Sequence, residues 1–307
     1  MNNILEIKNL SVGFNIEDNF YYALNDINLS FEKGKIHAIA GESGCGKSVL
    51  INTILKLLPK NGIIKTGEII YNNENILNLK NKEIRKIRGS KISLIPQDPF
   101  MSLNPLYTIE NQLLEVKNNV DIIKQALEEV KIKNIDNVLK SYPHELSGGM
   151  KQRVIIAMSL ISGSELILAD EPTTALDVSV SNSILDLLVE LKNKGKTIIL
   201  ITHDLSIVSN YCDTTTIMYL GNIIEKADSN ILFKNPLHPY TKALLAALPT
   251  QKGKKLENIK GQISPITQII EGCKFNPRCN FAMEKCKNQK PELKKIINTN
   301  CACFLYD

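Results

Sequence analysis

Apolar and polar positions alternate along residues 4–14 and again along 24–31, the period of strands with one buried face, and the mostly polar stretch 15–19 predicts a turn between them. An apolar run at Ile36, Ala38, Ile39 and Ala40, interrupted only by His37, predicts a short buried strand. Beyond it Val49, Leu50, Ile54, Leu57 and Leu58 recur at helical spacing, which predicts a helix lasting to Pro59. Residues 67–71 and 91–95 read as two more strands, the second ending at Ile95-Pro96-Gln97-Asp98-Pro99, where two prolines leave Gln97 at a junction. From Asn104 to about Leu160 the spacing turns helical, with Ile109, Leu113 and Val116 on one face and Ile122, Ile123, Ala126, Leu127 and Val130 on another, predicting a helical insertion. Apolar strands follow at Leu166-Ile167-Leu168-Ala169 and Thr197-Ile198-Ile199-Leu200-Ile201, and residues 214–219 and 223–226 flank a hairpin signal at Leu220-Gly221-Asn222. Pro236, Pro239 and Pro249 punctuate the passage into the tail, with a short helix expected over 240–248.

Length and composition narrow the class. At 307 residues and 43% hydrophobic content, the chain can form one large domain and a smaller appendage around a sizeable core, which argues against disorder. No apolar run approaches the roughly 18 residues that span a bilayer, and the start lacks signal-peptide character, so a cytoplasmic location is expected. Residues 251–307 hold 11 Lys+Arg against 5 Asp+Glu, so the basic excess belongs to the tail. Its lysines are scattered without interleaved aromatic residues, a pattern of a solvated face rather than of a nucleic-acid surface. Five of the seven cysteines lie between Cys273 and Cys303, and in a reducing compartment they are expected to be thiols or metal ligands rather than disulfides.

The chemistry concentrates in a few stretches. Gly41-Glu42-Ser43-Gly44-Cys45-Gly46-Lys47-Ser48 is a complete G-x-x-x-x-G-K-[ST] loop between the predicted strand and helix. Such a loop closes backbone N–H groups around phosphate oxygens at a helix start, with Lys47 reaching the outer phosphates and Ser48 able to ligate Mg²⁺. Leu146-Ser147-Gly148-Gly149-Met150 precedes a predicted amphipathic helix and offers a second anion-binding helix start, although such a turn is often only a cap. The strand ending at Asp170-Glu171 supplies one carboxylate for Mg²⁺ and another for an attacking water; the alternative is that the pair caps the following helix. His203 ends the next strand, and Phe14, Phe20, Tyr21 and Tyr22 cluster near the first turn, where one could stack on an adenine.

The phosphate loop, Gln97, the signature at 146–150, Asp170-Glu171, Ala175-Leu176-Asp177 and His203 together resemble the ATP-binding cassette of ABC transporters over residues 1 to about 235. Met150 ending the signature, Asn235-Pro236-Leu237-His238-Pro239-Tyr240-Thr241-Lys242 and Gly272-Cys273-Lys274-Phe275-Asn276-Pro277-Arg278-Cys279 are similar to the ATPase subunits of bacterial dipeptide and oligopeptide importers. The resemblance implies an α/β P-loop nucleotide-binding domain at 1–235, with a RecA-like core, an antiparallel β subdomain and a helical subdomain at about 98–160, followed by a cysteine-containing extension at 236–307. It further implies that two cassettes pair head to tail, so that Ser147, Gly148, Gly149 and Asp177 of one complete the ATP site formed by residues 41–49 of the other. The implied roles are Lys47 on the β- and γ-phosphates, Ser48, Gln97 and Asp170 on Mg²⁺, Glu171 on the attacking water and His203 on the γ-phosphate. Phe14 is the implied adenine platform, with Tyr22 as the alternative.

The implied partners are a second cassette, identical or paralogous, two membrane permease subunits contacted by the segment after Gln97, and an extracytoplasmic peptide-binding protein. The location becomes the cytoplasmic face of the cell membrane. Cys273, Cys279, Cys286 and Cys303 would hold a four-iron, four-sulfur cluster, with Zn²⁺ as the chemical rival and Cys301 as the alternative fourth ligand. A nickel or metallophore importer is the alternative function. A soluble cassette protein acting on DNA or the ribosome fits less well, because there is one cassette and no long heptad insertion.

Overall fold

The computed structural model describes residues 2–248, 259 and 261–307, so Pro249 and most of the basic stretch 251–260 lie outside the described residues. In chain order the elements begin with β1 (Asn3–Ile16), β2 (Asn19–Glu32), β3 (Ile36–Ala40), α1 (Lys47–Ile54), β4 (Gly62–Tyr71) and β5 (Glu74–Asn75). They continue through α2 (Asn81–Ile87), β6 (Ile92–Ile95), α3 (Ile109–Val116), α4 (Val120–Glu129), α5 (Ile135–Lys140) and α6 (Gly148–Ile161). Next come β7 (Leu166–Asp170), α7 (Val178–Asn193), β8 (Thr197–Thr202), α8 (Leu205–Tyr211), β9 (Thr214–Tyr219) and β10 (Asn222–Asp228). The chain ends with α9 (Ser229–Lys234), α10 (Pro239–Ala246), α11 (Glu284–Asn288), β11 (Lys294–Ile296) and β12 (Thr299–Cys301). Two compact units result, Met1–Asn78 with Ile201–Asp307, and Leu79–Leu200.

In the first unit an antiparallel sheet runs in the order β2-β1-β4-β5. Its first two strands are longer than the alternation predicts, because Glu17 and Asp18 alone reverse the chain, both at positive φ, +47° and +64°. Two left-handed residues match the twist of the strands they join. β4 likewise starts at Gly62 rather than at residue 67, pairing Ile63 and Ile64 with Gly13 and Val12, while polar Lys65 and Thr66 hide its pattern. Helix α1 stops at Ile54, short of the expected Pro59, since Lys56 turns to φ +50° and the Leu57 N–H donates back to the Asn52 carbonyl at 2.7 Å.

The same unit carries a second sheet portion in which β3 and β9 are parallel, His37 opposite Thr214, and β9 and β10 form the expected hairpin. β12 pairs with β10 and β11 with β12, a C-terminal hairpin that the apolar pattern does not predict. One core serves strands and tail alike, with Ala38, Ala40, Ile217 and Tyr219 packed among Leu205, Val208, Leu232, Tyr240 and Phe275. The short helix after Pro239 forms as α10, N-capped by His238, whose Nδ1 accepts from the Tyr240 N–H at 3.0 Å.

In the second unit β6 and β7 are parallel and the expected helical insertion is present as α3 to α6. Ile109 and Leu113 of α3 are buried, and so are Ile123, Ala126, Leu127 and Val130; Val116 and Ile122 face outward instead. Helix α6 departs from its amphipathic expectation. Gln152, Val154, Ile155, Ile156, Ala157 and Ile161 are all buried because α3, α4, α7 and β6 surround it. Helix α2 is unpredicted, since Ile84 is its one buried residue and leaves no period to read.

Candidate functional site

Residues 41–48 lead from β3 into α1. Gly46 is the N-cap of α1 at φ +108°, and a Cβ there would lie 2.7 Å from the Ala23 carbonyl oxygen, so both the backbone turn and the approach of β2 require glycine. Lys47 is 5% exposed, and its ammonium donates to the carbonyls of Gly41 at 2.7 Å and Glu42 at 3.0 Å. Ser43, Gly44 and Ser48 are exposed, Val49 is half-buried, and Cys45 is fully buried beneath the loop. Burial pushes the Cys45 thiol up, so it packs rather than reacts.

Glu42 is tied from two sides. Arg278 donates to its carboxylate through Nη1 at 2.7 Å and Nη2 at 3.1 Å, and the Glu42 N–H donates to the Tyr240 phenol oxygen at 3.1 Å. Neither contact is foreseen above, although both residues sit in the tail motifs quoted there. His203 is exposed at the end of β8, and Asp204 beside it caps α8 by accepting from the Ser206 N–H at 2.8 Å. Phe14 is half-buried on β1, opposite Tyr21; Tyr22 is 51% exposed and packs edge-on to Phe20 with centroids 4.9 Å apart.

The second unit carries the other predicted residues. Gln97 follows β6 and donates through Nε2 to Glu171 Oε2 at 3.2 Å, and Thr174 Oγ1 donates to the same oxygen at 3.0 Å. Glu171, next after Asp170 at the end of β7, holds a positive φ of +46°, a strained conformation for a residue with a side chain. Helix α7 is capped by Asp177, whose Oδ1 accepts from the Val180 N–H at 2.9 Å, so capping does not account for Asp170 and Glu171. Ser147 is the N-cap of α6, with Oγ accepting from the Met150 N–H at 3.3 Å, and the two glycines form the first turn rather than preceding it. A Cβ on Gly149 would lie 2.4 Å from Val180 Cγ1, so the start of α6 presses directly on the start of α7, beside Asp177.

Four of the tail cysteines gather. Cys273, Cys279, Cys286 and Cys303 line one cavity together with Phe275, Phe281 and Phe304. Cys301 stands apart in β12, opposite Glu225 and Lys294. Burial pushes the Cys273 thiol up to about 11 and raises Cys279 and Cys303, and in each the facing cysteines add to the effect. The Phe281 N–H donates to Cys279 Sγ and the Met283 N–H to Cys286 Sγ, both at 3.4 Å. Among the described residues no group of three or more His, Cys, Asp or Glu is arranged to hold a metal ion.

Comparison with known proteins places the chain in a family. Residues 24–174 match the family described as ABC transporter, and residues 224–286 match the C-terminal region of oligopeptide/dipeptide transporters. The oligopeptide transport ATP-binding protein OppD of Escherichia coli is 42% identical, across 98% of this chain and 93% of its own. The chain belongs to this family of ABC transporter ATP-binding subunits. The dipeptide transport ATP-binding protein DppD of Haemophilus influenzae, 38% identical, covers 98% of this chain and 94% of its own. Among solved structures, cbiO1 of Clostridium perfringens, part of an ABC transporter complex, superposes with a TM-score of 0.67 at 30% identity, covering 76% of this chain and 92% of that one. A dimeric ATP-binding cassette solved with ADP and phosphate gives 0.65 at 28% identity, covering 73% and 98%. The α/β nucleotide-binding fold expected from the motifs is therefore the fold of this subunit, and ATP hydrolysis is its chemistry.

Proposed function

We propose that this chain hydrolyses ATP at the cytoplasmic face of the membrane to drive uptake of di- or oligopeptides. The joint match of cassette and peptide-transporter C-terminal region carries the reading. Support for hydrolysis comes from Glu171, whose carboxylate is oriented by Gln97 and Thr174 as a water-directing group must be. When bound, Mg²⁺ neutralises phosphate charge, and Ser48, Gln97 and Asp170 are the residues to hold it. Lys47 holds the outer phosphates, His203 contacts the γ-phosphate and Phe14 carries the adenine. A second cassette, itself or a paralogue, covers the nucleotide with its Ser147, Gly148, Gly149 and Asp177, and closure and reopening move two permease subunits fed by a peptide-binding protein. The division at 235 and 236 is then one of role, hydrolysis before it and a family-specific extension after it.

The test is peptide uptake by proteoliposomes holding the assembled transporter. Glu171→Gln should retain ATP binding and lower turnover by on the order of 10² to 10⁴, as for loss of a general base. Near-normal hydrolysis in that variant would remove Glu171 from the role, and uptake of nickel in place of peptide would overturn the substrate class.

The cavity lined by four cysteines favours a further reading, an iron–sulfur cluster held by Cys273, Cys279, Cys286 and Cys303. Four thiolates around one cavity suit such a cluster, with Zn²⁺ the chemical rival, and N–H···S bonds such as those to Cys279 and Cys286 stabilise cluster thiolates. Protein purified without oxygen should contain iron and show visible charge-transfer absorbance; the absence of both would rule the cluster out.

A further inference from the structure

Glu42 puts a carboxylate at the second position of a loop that must hold a polyphosphate. Left alone, that charge opposes the ligand. The side chain of Arg278 is only 7% exposed and that of Glu42 29%, so the pair is bidentate and partly desolvated. Its remaining contacts hold it in place, with Nη1 donating to the Tyr219 hydroxyl at 3.3 Å and Nη2 to the Gly261 carbonyl at 3.2 Å. The backbone of Arg278 closes a short turn, its N–H donating to the Phe275 carbonyl at 3.0 Å, and the Phe275 ring packs 5.3 Å from Tyr219 and 5.2 Å from Tyr240. Tyr240 reaches the same residue from α10 and takes up the Glu42 N–H. Two separate stretches of the C-terminal segment thus converge on one residue of the phosphate loop.

We propose that Arg278 is a positioning residue for the phosphate loop that cancels the charge of Glu42, so that the C-terminal segment sets the affinity of the site for ATP. The proposal rests on the reading of residues 41–48 as the nucleotide site. A neutralised, immobilised Glu42 gives the following amides a fixed starting point and removes the like charge beside the triphosphate. Without Arg278 the carboxylate is free to face the ligand.

The experiment measures ATP affinity of the full chain by titration calorimetry, together with KM and kcat for ATP in the assembled transporter. Arg278→Ala should weaken ATP binding and raise KM by about tenfold, with a much smaller effect on kcat. Glu42→Gln should bind ATP at least as tightly as the unaltered chain, and adding Glu42→Gln to Arg278→Ala should recover most of the lost affinity. That recovery separates charge cancellation from a merely structural clamp, for which both single variants would lose affinity alike. Should Arg278→Ala not fold, Arg278→Lys, which keeps the charge but loses the fork, should weaken binding by about threefold. Unchanged affinity in the Arg278 variants, or equal loss in Glu42→Gln, overturns the proposal while leaving the nucleotide site standing. No ATP binding by the unaltered chain overturns both.

Discussion

His37 interrupts the apolar run of β3, and its burial decides its charge while its partners decide its tautomer. It is 3% exposed, and its Nε2 lies 2.9 Å from the Glu32 carbonyl, which can only accept, so Nε2 carries the proton and Nδ1 accepts from the Thr214 hydroxyl at 2.7 Å. Burial holds its pKa below that of an ordinary imidazole. As pH falls the unfolded chain therefore takes up this proton first, and stability drops. The contribution is complete above about pH 6.5 and declines below it by no more than about 1.4 kcal/mol per pH unit. Urea midpoints at pH 7.5 and 5.5 should differ less for His37→Gln than for the unaltered chain; equal differences would assign the response to other groups. The residue is plain in the sequence, but the burial that keeps it neutral is a product of the fold, which sets it against Thr214, 177 positions away. The left-handed backbone of Glu171 is hidden in the same way, since nothing in Asp170-Glu171-Pro172 requires a positive φ there. The tertiary contacts of Gln97 and Thr174 are what hold that carboxylate.

Among the elements, α6 and α7 show how far a motif can be read. The Ser-Gly-Gly signature marks a helix start from sequence alone, and Ser147 does cap α6. That Gly149 must be glycine because Val180 lies against it needs both helices in place. Asp177 has two separable tasks, capping α7 and, in the proposed dimer, facing the partner's nucleotide. Asp177→Ala should cost about 1 kcal/mol of stability, whereas Asp177→Asn keeps a capping side chain and should cost only a few tenths. Thermal melts check that difference, and a fall of ATPase activity in both variants would separate the interface task from the cap. Boundary errors share a cause. β4 and α1 end or begin where single backbone hydrogen bonds and positive-φ residues allow, and these leave little trace in the apolar pattern.

At the scale of the whole molecule, the C-terminal segment is part of the same body as the phosphate loop. Phe275 and Tyr240 are buried in the core that also holds Ala38, Ala40 and Ile217, and β12 extends the sheet of β10. Phe275→Ala should destabilise the unit by about 3–5 kcal/mol, read from urea unfolding of the full chain, and unfolding unchanged by that substitution would deny the segment its core role. Motifs and their spacing, with the family they resemble, were enough by themselves to mark this chain as an ATP-binding cassette of the peptide-transporter type and Lys47, Gln97, Glu171 and His203 as candidates for its chemistry, because those functions demand particular residue types at particular separations. Tertiary structure alone decided that the cysteines at 273, 279, 286 and 303 share a cavity from which Cys301 is excluded, and that Arg278 meets Glu42 across 236 positions of chain. Contacts of such sequence separation depend on how strands and core bring distant segments together, and no local pattern of residues records that.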